Sequence, residues 1–166
     1  MTLSPTWKRK LARLIAFKPV TLLMRVAIFI LIPRHQVGTA IVLLDDKNRV
    51  LLLKHVFHPG YPWGIPGGWL NRGEDPETAV VREILEETGL EARVSRLLHV
   101  QQNDTPRHLE VIYQGVVVGG QLKLSAEIEE AGWFGLDELP PMPSISRRFI
   151  ETAVQHNKQA TIQDGE

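Results

Sequence analysis

Apolar positions along the chain change their period several times, and each change marks an element. Leu3, Trp7, Leu11, Leu14 and Ile15 recur at helical spacing, with Lys8, Lys10 and Arg13 between them. That pattern predicts an amphipathic helix over residues 4–17, stopped at the Lys18-Pro19 step because a residue before proline is pushed out of the helical region. The next run, VTLLMRVAIFILI over residues 20–32, is almost continuously apolar and is closed by Pro33. It is too short, and too interrupted by Arg25, to predict a membrane span. No small-residue cleavage site follows it, as a signal peptide requires. A buried helix is the first expectation here and a strand the second.

Shorter apolar runs then take over. VGTAIVLL (37–44) and RVLLLKHVF (49–57) flank DDKN, which reads as a hairpin of mostly buried strands around a polar turn. GYPWGIPGG (60–68) is loop punctuation around one short extended piece. Asp75-Pro76 predicts a helix start, with Asp75 as N-cap and Pro76 at the first helical position. Gly89 is expected just past the end of that helix, in the left-handed conformation that glycine tolerates. EARVSRLLHVQQ (91–102), HLEVIYQGVVV (108–118) and the short GWFGL (132–136) read as strands. SISRRFIETAVQHN (144–157) reads as a closing helix capped by Ser144. Strands mixed with few helices predict an α/β fold, a mixed sheet packed between helices. The expected organisation is a helical extension over 1–36, a main domain over 37–160 and a loose tail over 161–166.

A length of 166 residues suits one domain with a real core and room for an appendage. The absence of cysteine excludes disulfides, zinc-thiolate sites and thiol nucleophiles. The zero net charge hides an asymmetry. Residues 1–44 hold seven basic residues and no acid, leaving twelve of the nineteen basic residues beside all nineteen acids in residues 45–166. A balance of +7 against −7 implies that the N-terminal part meets something anionic.

The acids of the predicted 76–88 helix raise a physical problem. On a wheel of about 100° per residue, Glu86 and Glu87 lie within roughly 60° of Glu83, while Val81, Ile84, Leu85 and Thr88 lie on the opposite half. Like charges at these spacings cost a few tenths of a kcal/mol per pair. Acids in a last turn also oppose the helix dipole, by roughly 0.3–1 kcal/mol each at a surface. Arg82 relieves Glu86 at i+4, but one arginine does not balance three glutamates. A solvated charged face is the ordinary reading of such a run. A hard divalent cation would remove the repulsion, since Mg²⁺ takes carboxylates, waters and substrate phosphates as ligands.

Gly68, Glu74, Arg82-Glu83-Ile84, Glu86-Glu87 and Gly89-Leu90 stand at the spacing of the Nudix box, which residues 68–90 resemble at every specified position. The likeness is sharpest from Gly38 to Glu138. It implies the Nudix α/β/α sandwich with an N-terminal helical extension, and hydrolysis of a nucleoside diphosphate linked to another moiety with Mg²⁺ or Mn²⁺. By matching position, Glu83, Glu86 and Glu87 would be metal ligands, and Glu83 would also help to deprotonate the attacking water. Arg82 would orient the glutamates, Glu74 would support the loop or a further metal, and the Gly67 carbonyl would be a backbone ligand.

Family members often carry a further glutamate just before a tryptophan-containing segment. Here Gly132 precedes Trp133, which leaves Glu127, Glu129 and Glu130 as candidates, with Glu130 and Glu127 preferred. Lys54 and Arg72 are candidate donors to phosphate. Phe57, Tyr61, Trp63 and Trp69 surround the loop into the box; two are expected in the core, and Trp69 is the candidate for stacking on a base. His55, His58 and His108 have no ligand spacing and stay unassigned. Pro106, sixteen residues beyond Leu90, is similar to a marker of the ADP-ribose branch. The coenzyme A signature is absent, and so is the cysteine on which the related isomerases of isopentenyl diphosphate rely.

The expected function is therefore a metal-dependent hydrolase acting on an ADP-ribose-like or nucleoside-triphosphate-like substrate. The alternative is a nucleotide-sensing module of the same fold without turnover. An RNA 5′-end pyrophosphohydrolase ranks lower because the part carrying the box is net acidic, so no stable nucleic-acid complex is expected. The expected location is cytoplasmic. A homodimer and a peripheral membrane contact through residues 4–32 both stay open.

Overall fold

The computed structural model of the protein describes residues 18–31, 35–58, 60–102 and 107–163. The expected 4–17 helix, Pro33 and Pro106 lie outside those residues. The chain divides into two compact units, 1–34 and 35–166. In the first, Lys18–Leu31 forms helix α1. The helical expectation for this run holds but the burial expectation does not, since Leu22, Leu23, Ile30 and Leu31 are all more than 60% exposed.

The second unit is built on strand β1 (Gln36–Leu43), which is apolar and buried along most of its length. Both of its faces are covered, and that explains a continuous rather than an alternating apolar run. Ala40 and Val42 pack towards Phe149, Ile150, Ala153 and Val154. Ile41 and Leu43 pack towards Val80 and Ile84. Strand β2 (Val50–His55) repeats the division, with Val50 and Leu52 on the first side and Leu51 and Leu53 on the second. Helix α2 (Pro76–Thr88) and helix α3 (Ser144–Gln163) thus cover opposite faces of the strands. The result is the expected α/β/α layering. Each fully buried aliphatic side chain contributes roughly 1.5–3 kcal/mol.

The sheet is in two parts. Strands β3 (Trp63–Gly64), β4 (Gly67–Trp69), β5 (Leu90–Gln102), β6 (His108–Gly120) and β7 (Ile128–Phe134) complete it. A mixed sheet runs β4-β1-β6-β5, and a three-stranded sheet runs β3-β2-β7. β1 and β2 are therefore not a hairpin. They meet at a single antiparallel bridge, Leu44↔Val50, and then enter different sheets. The turn between them forms as expected, with the Asp45 carboxylate accepting from the Lys47 and Arg49 backbone N–H groups and Asn48 at φ 57°. Hydrophobic pattern predicts that both segments are strands, but pairing depends on partners distant in sequence, here β6 for β1 and β7 for β2.

Helix α2 begins and ends where its punctuation predicts. The Asp75 side chain accepts from the backbone N–H groups of Glu77 and Thr78, and Gly89 at φ 68° donates its N–H to the Leu85 carbonyl. Leu85 is nevertheless 52% exposed, and Glu87 is buried. The contact stripe is centred on Ile84 and takes in Val80, Glu87 and Thr88 at i−4, i+3 and i+4. Leu85, one residue round the wheel, falls off its edge. After β7 a 3₁₀ turn (Leu136–Glu138) leads to α3, which reaches Gln163, beyond the point where a loose tail was expected.

Candidate functional site

Edge strand β4, the turn behind it and the last two turns of α2 converge on one place. Gly67 and Gly68 stand opposite Ala40 and Thr39 in the β1–β4 ladder, and the Thr39 hydroxyl donates to the Pro76 carbonyl at 3.2 Å, tying α2 to the same strand. A Cβ at Gly68 would overlap the Glu83 carboxyl group, and one at Gly67 would overlap the Thr39 carbonyl and Ala40. The two glycines allow backbone and carboxylate to approach each other closely.

Arg82 is the hub. Its Nε and Nη2 donate to the two carboxylate oxygens of Glu74 at 2.9 and 3.0 Å, a bidentate fork. Its Nη1 donates to Glu83 at 2.9 Å and to Glu86 at 3.1 Å, and Nη2 also reaches the Trp69 carbonyl at 3.1 Å. Lysine, with a compact ammonium, could not span these partners. Glu74 also accepts from the Asn71 backbone N–H at 2.8 Å, so it braces the turn between β4 and α2. The Arg82 hydrogen bonds hold the Glu74 carboxyl below its usual range.

Glu87 has the opposite environment. It is only 9% exposed, and its Oε2 is buried without a hydrogen-bond partner. Burial, with the charges of Glu83, Glu127 and Glu86 nearby, pushes its pKa up to about 7, against one backbone hydrogen bond from Gly67. Glu86 stands at the rim, its side chain 60% exposed. Among the described residues no three acid or histidine side chains converge to hold an ion by themselves. The donor set fits a hard divalent cation nonetheless, because such an ion needs only one or two carboxylates besides waters and phosphate oxygens. Oε2 of Glu87 is a buried hard donor lacking a partner, beside a second carboxylate that Arg82 holds in place.

Of the late-strand acids, Glu127 lies within electrostatic reach of both Glu87 and His55. Glu130 stands opposite Lys54 in the β2–β7 ladder. Lys54 donates to Glu129 at 2.9 Å, so its ammonium is already paired. Arg72 is exposed in the turn before Glu74.

Next to Gly67 and Gly68 opens a cavity of about 440 Å³. Tyr61, Trp63 and Trp69 line it, and so do His55, His58 and His108, which the sequence left unassigned. Trp69 is 53% exposed and lies against the His108 ring, centroids 4.6 Å apart and tilted 37°. Of the four aromatics near the box, Trp63 packs on the core, edge-on to Phe134. Phe57 is 74% exposed, so one of the four is in the core rather than two. Glu110 and Phe149 also line the cavity and carry no sequence signal, because β6 and α3 bring them in from distant segments.

Comparison with known proteins agrees with this fold. The model of the NUDIX domain matches residues 34–153. An ADP-ribose pyrophosphatase of Methanocaldococcus jannaschii is 37% identical over 114 residues, 66% of this chain and 68% of that one. An NAD-capped RNA hydrolase, NudC, of Pectobacterium carotovorum is 32% identical over 118 residues, 69% of this chain. The match takes in 45% of that longer protein, so the chain spans about half the length of such relatives. In three dimensions, a MutT NUDIX hydrolase from Burkholderia pseudomallei superposes with a TM-score of 0.63 at 31% identity, over 72% of this chain and 98% of that one.

Proposed function

The chain belongs to the NUDIX family of hydrolases, and from that premise we propose that it cleaves the diphosphate bond of a nucleoside diphosphate linked to a second moiety, with ADP-ribose-like compounds as its substrate class. The observation that carries this reading is the buried, partnerless oxygen of Glu87 beside Glu83, packed against Gly67 and Gly68, two glycines that also line the aromatic cavity.

Phosphoryl chemistry asks a protein mostly for positioning and charge neutralisation. Glu83, Glu87 and the Gly67 carbonyl, with Glu86 at the rim, would hold Mg²⁺ or Mn²⁺, which when bound supplies Lewis-acid charge and a water of lowered pKa. Glu83 is the group best set to take a proton from the attacking water, since Arg82 fixes one of its oxygens and leaves the other. Arg82 acts as a positioning residue, and Glu74 locks Arg82 from the far side. Glu127 is the favoured further carboxylate, ahead of Glu130, because its charge reaches Glu87. Trp69 stacks on the base, and Arg72 meets phosphate oxygens. Lys54 joins them only by exchanging its Glu129 partner.

The ADP-ribose reading draws support from the relative of that name, which matches over two thirds of its own length. A capped RNA is the less favoured substrate, because residues 45–166 carry a net −7 and offer little attraction to a phosphate chain. Sensing without turnover draws support from Gly132, which stands where an acid would precede Trp133, but every box acid is present and Arg82 holds three of them.

A screen of ADP-ribose, dinucleoside polyphosphates, nucleoside-diphosphate sugars and nucleoside triphosphates with Mg²⁺ and Mn²⁺ tests the proposal. AMP and ribose 5-phosphate are the expected products from ADP-ribose. Preferred release of pyrophosphate from triphosphates would replace the substrate class. Tight nucleotide binding with no product from any compound would establish the sensing module instead.

A further inference from the structure

None of the described residues of helix α1 belongs to the carboxylate cluster or lines the cavity described above. Over fourteen residues the helix exposes Leu22, Leu23, Val26, Ile30 and Leu31, with Ile30 72% and Leu31 77% open to solvent. A scatter of surface leucines needs no explanation, but an apolar surface this continuous does. At 100° per residue these side chains, with the exposed Met24 and Ile28, spread over about two thirds of the helix circumference, while Thr21 and Arg25 share one narrow stripe. A groove on a folded partner would need one apolar stripe. A surface apolar over most of its circumference suits an apolar medium that surrounds it.

Length and charge identify that medium. At 1.5 Å per residue the helix is about 21 Å long, short of the roughly 30 Å hydrocarbon core of a bilayer. Among the described residues no helix is long and apolar enough to cross a membrane. The surrounding sequence, residues 1–44, holds seven basic residues and no acid. Pairing two copies of this segment would bring two such charges together, whereas an anionic surface complements them. We propose that α1 is an interfacial anchor that seats in one leaflet of an anionic membrane, with Arg25 at headgroup level. The hydrolase would then work at a membrane surface without spanning it.

Co-sedimentation of the full chain with vesicles tests this. Vesicles of phosphatidylglycerol mixed with phosphatidylcholine are compared with phosphatidylcholine alone, at about 0.05 M and about 0.5 M salt, because screening is strong at the higher concentration. The expected result is binding to the anionic vesicles at low salt, weakened roughly tenfold or more by high salt or by neutral lipid. A double variant, Leu23→Glu with Ile30→Glu, should lose that binding while its melting temperature stays at the wild-type value. Arg25→Glu should weaken it more mildly and make the remainder less salt-dependent. Equal binding to both vesicle types at both salt concentrations would overturn the proposal. So would a vesicle-indifferent dimer, measured by light scattering, that the double variant converts to monomer; the face would then be an interface between copies.

Discussion

Replacing Glu87 with glutamine gives the sharpest test of the site's electrostatics, because the effect changes with pH in a direction that burial dictates. The carboxyl pKa is pushed from 4.5 to about 7 in the folded protein, first by burial and then by the charge of Glu83. The folded state therefore binds this proton more tightly than the unfolded state does. Its stabilising contribution is fully present below pH 4.5 and is lost as pH rises through 7, where the group must ionise in a buried place. Between about pH 5 and pH 8.5 the metal-free protein should lose roughly 2–3 kcal/mol from this group alone. Glutamine does not titrate, so Glu87→Gln escapes that loss. At roughly 2–4 °C per kcal/mol, its melting temperature relative to wild type should rise by about 5–10 °C across the range. Other carboxylates, such as Glu74 and Asp75, are common to both proteins and cancel in the difference. Melting curves in chelator-containing buffer, taken at intervals of pH, measure it. A constant gap between the two proteins from pH 5 to pH 8.5 would refute the assignment of Glu87 as a buried, poorly compensated acid. With Mg²⁺ added, the wild type should recover stability at high pH and the variant should not.

The same substitution should lower kcat by about 10³-fold or more at an unchanged fold, roughly 4 kcal/mol of transition-state stabilisation; near wild-type turnover with Mg²⁺ would remove Glu87 from the site. Gly68→Ala should leave the melting temperature within a few degrees of wild type but reduce activity at least about a hundredfold, because its Cβ must displace the Glu83 carboxyl group; full activity would show that Glu83 need not lie against β4. Ile84→Ala should cost about 2–5 kcal/mol, since Ile84 is fully buried, whereas Leu85→Ala, at a half-exposed position, should cost under about 1 kcal/mol by chemical denaturation; the reverse order would mean that the helix faces are assigned wrongly. Asp75→Ala should cost about 1 kcal/mol through the lost cap on α2, and an unchanged unfolding midpoint would count against that cap.

Local chemistry was the legible part of this protein. Asp75, Pro76 and Gly89 bracket α2 because capping and left-handed termination are decided within a few residues, where the sequence is its own context. The apolar runs of β1 and β2 announced strands covered on both faces. The candidate site was legible as well, since its acids lie on one helix and one preceding turn, at spacings that a wheel and a family signature can read. The aromatic candidates fared less well. Trp63 and Phe57 look alike in sequence, but one packs on Phe134 while the other points into solvent.

What the sequence determined by itself was most of the described elements, the charge asymmetry and the acid cluster. Tertiary structure alone decided which strands pair, sending β1 to β6 and β2 to β7 where proximity along the chain suggested a hairpin, because pairing follows how two covered faces are filled. It also decided the states of the glutamates. A wheel puts Glu83, Glu86 and Glu87 on one side as equals, yet packing against β4 buries Glu87, gives Glu83 to Arg82 and leaves Glu86 at the rim. It gathered His55, His58 and His108 into one cavity from three strands or loops whose spacing carries no signal. Exposure of α1 is the same lesson in reverse, since an apolar run reads as buried until the fold shows its surface. Periodicity and capping are short-range and are written in neighbouring residues. Burial and electrostatic coupling depend on what the rest of the chain brings alongside.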